Sequence, residues 1–316
     1  MFVSVLLVTS APSLFISWLG LELNTLSFIP LLLVVKNKLS SEAAIKYFLT
    51  QTLASILFIF GSTLSVLGDT NSFYNILILI ALSIKLGAAP FHSWLMSVGE
   101  ACPWIILLVL LTIQKINPLL IMWGSPCSNL SLYLFIIFLS ILVGGFLGLA
   151  QTDSRLVLIF SSISHVGWLL TSLIFNLWLG LMYFLIYFFI VTPVVSILSS
   201  FNVTHINQLT SLNLNLKMQL SLFISLLSLG GLPPFLGFLP KWAVLQLVMQ
   251  SELFILGLGL VLMSLFTLYY YLRLSFSALI LNSVKFSFKK SLQFISPFSL
   301  MLICFSFLGL PVIFIM

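Results

Sequence analysis

Four ionisable side chains stand inside long apolar runs, where charge is expensive. Glu22, Lys85 and Lys115 lie within a few residues of the middle of their runs, and Lys241 lies off-centre, beyond a break rich in Gly and Pro. A charged side chain at the centre of a bilayer costs about 2.5–3.5 kcal/mol on the lenient insertion scale, so each needs a partner or a function. Taken singly, any of them reads as well as a buried ion pair or a lysine snorkelling to the interface. Together they do not. Three lysines and one carboxylate cannot close into neutral pairs, so at least one lysine is neutral, hydrated or paired with a charge on another subunit. Burial lowers the proton affinity of an amine and a nearby carboxylate restores it, which is the chemistry of a proton relay.

Two of the lysines stand beside helix-breaking motifs. The first is Lys85-Leu86-Gly87-Ala88-Ala89-Pro90-Phe91-His92-Ser93-Trp94, and the second runs from Gly230-Gly231-Leu232-Pro233-Pro234-Phe235 through Gly237 and Pro240 to Lys241-Trp242. Proline in a helix interior removes a hydrogen bond and opens the preceding turn, leaving carbonyls that need water or a side chain. Paired breaks in two halves of a chain mark inverted-repeat transporters, with the ion site at the break. Kinking alone is the plainer reading of a single break; two breaks with matched lysines favour a site.

The other polar positions say less. His165, in Ser161-Ser162-Ile163-Ser164-His165-Val166-Gly167, is mid-span among hydroxyls able to hold a water chain. His92 follows the first break, as a helix-terminal hydrogen bond or an extension of a path. His205 reads as a solvated loop residue, and Glu42 with Lys46, four apart at a helix start, as a surface pair. Asp69 and Glu252 fall in loops.

The elements that position these groups follow from composition. Of 316 residues, 61% are hydrophobic and 6% charged, and mean hydropathy is +1.27. A soluble surface needs roughly a quarter of residues charged, so a soluble enzyme, a nucleic-acid binder and a secreted disulfide scaffold are excluded. Cys102, Cys127 and Cys304 are far apart and read as apolar filler. The start Met1-Phe2-Val3-Ser4 lacks a basic region and a cleavage site, so no removable signal is expected. Taking about 20 apolar residues per crossing, the sequence predicts spans near 14–35, 44–67, 74–97, 102–123, 130–150, 154–175, 178–200, 218–248, 252–273 and 295–315, with 1–11 as a half-length apolar helix. The segments 74–97 and 218–248 are each read as one broken helix, and 274–294 as a loop. Threaded this way, Lys36, Lys38, Lys46, Arg155, Lys217, Arg273, Lys285, Lys289 and Lys290 all fall on one side, nine of the twelve basic residues. Such segregation assigns that side to the cytoplasm-equivalent compartment. No phosphate loop, dinucleotide fingerprint, haem-type histidine pair or Cys cluster is present, so no redox cofactor is expected in this chain.

Several motifs together carry a resemblance. Trp18-Leu19-Gly20-Leu21-Glu22-Leu23-Asn24, Lys46-Tyr47-Phe48-Leu49-Thr50-Gln51, the Lys85–Trp94 motif, Gln114-Lys115, Ser161–Trp168 and the Gly230–Trp242 motif occur in the order seen in the subunit 2 family of mitochondrial NADH:ubiquinone oxidoreductase, respiratory complex I. Over roughly residues 12–275 the chain resembles those antiporter-like subunits. The region before Trp18 is shorter than usual in that family, and nothing after 275 matches a motif. The resemblance implies an all-α polytopic membrane protein forming a single antiporter-like domain over 1–316. It also implies a proton-pumping membrane-arm subunit in the mitochondrial inner membrane, with other membrane-arm subunits and the lipid bilayer as partners and no nucleic acid. NADH, flavin, iron–sulfur clusters and quinone would be handled by other subunits. Carried over by motif, Glu22 pairs with Lys85, Lys115 is the central relay lysine and Lys241 the terminal one. In that scheme, with Glu22 holding Lys85, Lys115 takes a proton from the basic side, the matrix; when the pair opens, Lys85 drives that proton on toward Lys241. Two alternatives are an ion/proton antiporter subunit outside complex I and a purely structural membrane subunit whose charges lock packing.

Overall fold

The computed structural model describes residues 1–67, 73–124, 129–211 and 216–279. Asp69, Cys127, Cys304, Lys285, Lys289, Lys290, the span 295–315 and the part of the 274–294 loop beyond Leu279 lie outside the described residues, as does the side chain of Lys217.

Fourteen helices are described: α1 (Phe2–Thr9), α2 (Leu14–Leu32), α3 (Lys38–Val66), α4 (Phe73–Leu86), α5 (Ser93–Ala101), α6 (Trp104–Leu111), α7 (Ile113–Gly124), α8 (Leu130–Ala150), α9 (Ser154–Phe175), α10 (Leu177–Ser200), α11 (Ile206–Ser211), α12 (Leu216–Gly230), α13 (Phe238–Gln250) and α14 (Phe254–Leu279). Among the described residues, seven helical stretches are long and apolar enough to cross a membrane, with α6 and α7 together counting as one. In α4 and α12 the apolar helix is too short to cross alone. Polar residues at the starts fix several boundaries. Asn37 and Ser40 form a capping box on α3, and the Asn176 side chain accepts from the Trp178 N–H at 3.0 Å to start α10.

The chain read as one domain gathers into two compact units, Met1–Ser140 and a second beginning at Ile141, the boundary falling inside α8. In the first unit α3 packs on α2, α4 and α5, while α7 packs on α1, α2 and α4. The short α1 sits tightly on α2: a Cβ at Gly20 would lie 2.5 Å from the Val8 side chain and 3.1 Å from the Ser4 carbonyl. In the second unit α9 is the core, packed by α10, α13 and α14 and buried along almost its whole length. There Gly144 admits the backbone of α9, since a Cβ would stand 2.6 Å from the Ser164 nitrogen.

Three expectations change. The 102–123 span is not one regular helix, because α6 stops at Leu111 and α7 begins at Ile113. Thr112 adopts φ −120°, ψ −76°, and its hydroxyl donates to the Leu108 carbonyl at 2.6 Å. Pro118 in α7 has no N–H for the Gln114 carbonyl, so the turn before it is loosened as well. The 274–294 loop starts later than placed, since α14 continues to Leu279. Arg273, read as lying in or beside that loop, is inside α14 and donates from one guanidinium nitrogen to the Leu149 carbonyl at 2.9 Å and from another to the Gln151 carbonyl. It thereby caps the end of α8 and stays within its own helix. His205, read as a solvated loop residue, is 58% exposed and also meets the Asp153 carboxylate, where the chain entering α9 bridges the chain leaving α10.

Candidate functional site

At the first interruption, α4 ends in a turn that needs glycine. Gly87 has φ +68°, its N–H donates to Ile84 O at 3.1 Å, and the Ala88 N–H donates to Ser83 O at 3.0 Å. This is the Schellman arrangement, in which a left-handed residue closes the last turn. The next helix, α5, starts at Ser93, and the Trp94 indole N–H reaches back to Ile84 O at 3.0 Å. Lys85 therefore sits in the last turn of α4, at the negative end of the helix dipole. It is 5% exposed, and its Nζ makes no hydrogen bond among the described residues.

Glu22 of α2 is half-buried in the same unit. Glu22 and Lys85 form no direct ion pair; the Thr25 hydroxyl donates to Glu22 O at 2.8 Å and lies 3.3 Å from Glu22 Oε2. Lys115 is 2% exposed and lies on α7 just past the Thr112 irregularity. Around these charges runs a chain of uncharged polar groups. Gln114 Oε1 accepts from Asn24 Nδ2 at 2.9 Å and from the Tyr47 hydroxyl at 3.2 Å. The Tyr47 ring rests on Phe28 (5.0 Å) and Trp94 (5.7 Å). Asn117 Nδ2 donates to Ser4 Oγ at 3.1 Å, tying α1 to α7.

In the second unit α12 ends the same way. Gly231 has φ +78°, with its N–H to Ser228 O at 3.1 Å and the Leu232 N–H to Leu227 O at 3.4 Å. Here the lysine comes from the following helix. Lys241 Nζ donates to Gly230 O at 2.9 Å and Leu229 O at 3.3 Å, and lies 5.7 Å from the centre of the Trp168 ring. Gly237 lets α13 approach, because a Cβ there would run into the Ser228 carbonyl oxygen.

His165 of α9 is 6% exposed, and its Nδ1 lies 2.9 Å from the Tyr183 hydroxyl. The serines expected to serve it are committed to their own helix, Ser161 to Leu158 O at 2.8 Å and Ser164 to Ser161 O at 2.7 Å. The hydroxyls near it come from other helices: Tyr183 and Tyr187 of α10 line, with His165, Ser228, Leu229 and Gly237, a small cavity with room for about one water. Tyr270 and Tyr271 of α14 face Ser164 and Ser161. His92 stands at the start of α5 without a side-chain cap, and Glu42 meets Lys46 at 4.0 Å on the surface.

The structure places Glu22, Lys85 and Lys115 on α2, α4 and α7 of the first unit, where α7 packs on α2 and α4, and His165 and Lys241 on α9 and α13 of the second, which also pack on each other. Unassigned in the sequence were Asn24, Tyr47, Gln114, Tyr183, Tyr187, Tyr270 and Tyr271. Their signal was present: uncharged polar groups in apolar runs also need partners.

Buried lysines at helix interruptions, in a bundle of apolar helices, define a class: an antiporter-like, multi-pass α-helical membrane protein. The family model for NADH:quinone oxidoreductase/Mrp antiporter transmembrane proteins matches residues 11–267. NADH-ubiquinone oxidoreductase chain 2 of Anopheles gambiae is 42% identical over 306 residues, covering 93% of this chain and 88% of its own length. Its counterpart in Branchiostoma lanceolatum is 40% identical, covering 89% of this chain and 84% of its own length. The chain belongs to the NADH:quinone oxidoreductase/Mrp antiporter family. Its fold is similar to a chain of respiratory complex I from Thermus thermophilus (TM-score 0.82, 22% identity, 97% of this chain and 75% of that one). It is also similar to a chain of the Mrp complex from Dietzia (TM-score 0.79, 19% identity, 87% and 58%).

Proposed function

We propose that the chain is a proton-translocating membrane-arm subunit of mitochondrial NADH:ubiquinone oxidoreductase in the inner membrane, with redox chemistry confined to other subunits. The observation that carries this is the set of Lys85, Lys115 and Lys241, buried at helix interruptions, with a half-buried Glu22 midway along α2, in a chain so close to chain 2 relatives over nearly its full length. In this reading α4 with α5 and α12 with α13 are the two broken helices of an inverted repeat, each crossing once. With residues 295–315 as a further span, the total is about ten, and the two units work as one antiporter-like domain. The basic side of the chain faces the matrix.

Protons enter toward Lys115 and leave through Lys241, with His165 as a further member of the relay. The arrangement of Glu22 and Lys85, not in direct contact, is read as the opened one of two. Closing that pair withdraws positive charge from Lys115 and lets it take up a proton; opening it drives the proton on. Energy arrives from the redox subunits, because a proton relay has no electron chemistry of its own.

Native-gel separation of the solubilised inner membrane tests the assignment. Peptides of this chain are expected in the large band that oxidises NADH. Their recovery only in a small assembly without that activity would overturn it in favour of a free-standing antiporter.

A further inference from the structure

The relay reading leaves three polar residues of the first unit without a task, although each is adjacent in sequence or space to a charge. Asn24 follows Glu22 by two positions on α2, Gln114 precedes Lys115 on α7, and Tyr47 of α3 packs on α2, its ring 5.0 Å from Phe28. All three are buried, at 3%, 8% and 1% exposure for Asn24, Gln114 and Tyr47. One oxygen joins them: Gln114 Oε1 accepts from Asn24 at 2.9 Å and from Tyr47 at 3.2 Å. Tyr47 in turn leans on Trp94, whose indole holds the Ile84 carbonyl beside Lys85. The contacts therefore link the helices that carry all three charges of this unit.

The hydrogen-bond inventory gives the link two settings. Asn24 Oδ1 and Gln114 Nε2 make no hydrogen bond among the described residues. Turning both amides over would exchange donor and acceptor with no bond between them lost, because an amide presents its oxygen and nitrogen in nearly the same shape. In the setting observed, Tyr47 donates to Gln114. In the other, Gln114 turns its NH₂ toward Asn24 and Tyr47, and the tyrosine proton is released from Gln114 to respond to the charge carried by α2. An ionised Glu22 favours that second setting and a neutral one does not, since a hydroxyl donates more strongly to a charged acceptor. Each setting also turns a different end of the Gln114 dipole on the helix that bears Lys115.

We propose that Gln114 is a positioning residue that couples the charge on Glu22 to Lys115, through an Asn24–Gln114 amide pair with two hydrogen-bonded orientations and the Tyr47 hydroxyl between them. This rests on the relay reading above. Coupling between sites through a two-state element has an ordinary size of about 5–150-fold.

The test uses the assembled NADH-oxidising complex carrying Gln114→Met, Glu22→Gln or both, with NADH oxidation, protons moved per electron and the pH profile of pumping as readouts. Gln114→Met keeps side-chain length and removes both amide bonds. It is expected to lower coupled proton output roughly tenfold, and the double variant should be no worse than the poorer single one, because both act on the same step. Losses that multiply in the double variant, or a wild-type Gln114→Met, would overturn the coupling role. Should Gln114→Met fail to assemble, Tyr47→Phe decides. It keeps the ring on Phe28 and Trp94 and deletes only the hydroxyl, so a displaced pH profile supports the proposal and an unmoved one refutes it. If Glu22→Gln itself pumps like wild type, the relay reading fails. If Glu22→Gln falls while Gln114→Met and Tyr47→Phe stay normal, only the amide link fails.

Discussion

At Gly87 and at Gly231 the chain leaves a helix by the same left-handed turn, yet the nearby lysines are held in opposite ways. Lys241 arrives from the next helix and donates to the Gly230 and Leu229 carbonyls that the turn leaves open. Lys85 belongs to the helix that ends, and its amine makes no hydrogen bond among the described residues. There the Trp94 indole supplies the side-chain donor to the helix end, through Ile84 O. A lysine that doubles as a cap is tied to the backbone, so removing it damages structure as well as charge. A lysine relieved of capping is free to answer to a carboxylate. The difference is that backbone carbonyls fix the second lysine and not the first, so that on the reading proposed above the first interruption switches and the second holds.

The largest effect is expected where the second site depends on backbone contact. Gly237→Ala places a methyl group against the Ser228 carbonyl, which belongs to the rigid end of α12. A loss of about 3 kcal/mol or more should remove the chain from the assembled complex, read as its abundance on a native gel. Normal assembly of Gly237→Ala would show that α12 and α13 are less tightly joined than the structure has them.

The lysines themselves give the next contrast. Lys241→Met strands two carbonyls and should cost about 1–3 kcal/mol, seen as a lower melting temperature of the solubilised complex. Lys85→Met deletes an amine that satisfies no hydrogen bond, so that melting temperature should stay near wild type while pumping falls. Equal destabilisation by the two would erase the distinction between a holding and a switching lysine.

A smaller effect is expected from Gly87→Ala. A non-glycine residue in the left-handed region costs about 1–2 kcal/mol, and the added methyl group meets only the far end of the Leu95 side chain, at Cδ1. Gly231→Ala carries the same backbone cost, but its methyl group presses on Lys241, 2.9 Å away at Cδ. Pumping should therefore suffer more in Gly231→Ala than in Gly87→Ala at similar stability, a comparison made by measuring proton output and melting temperature on the same preparations.

Much of this was legible in the sequence. Composition settled the membrane class, and the span read at 154–175 coincides with α9, Ser154–Phe175. Gly, Pro and Lys marked the helix ends at Leu86 and Gly230, because those residues act through local backbone rules. The interruption at Thr112 was not legible. It sits in an apolar run with no glycine, and its cause combines a threonine hydroxyl bond with a proline six residues on. Arg273 misled because its partners, Leu149 and Gln151, are backbone carbonyls more than 120 positions away. The tyrosines about His165 were hidden for the same reason: Tyr183 and Tyr271 come from different helices, and only packing brings their hydroxyls to one place.

The central claim is that Glu22 controls proton uptake at Lys115 through Lys85. Its most direct test is the number of protons moved per electron, measured with NADH turnover, in assembled complex bearing Glu22→Gln or Lys85→Met. The account predicts that proton output falls in both variants, with turnover falling too if the assembly is tightly coupled. Wild-type values of both quantities in each variant would contradict it and leave the buried charges a packing role.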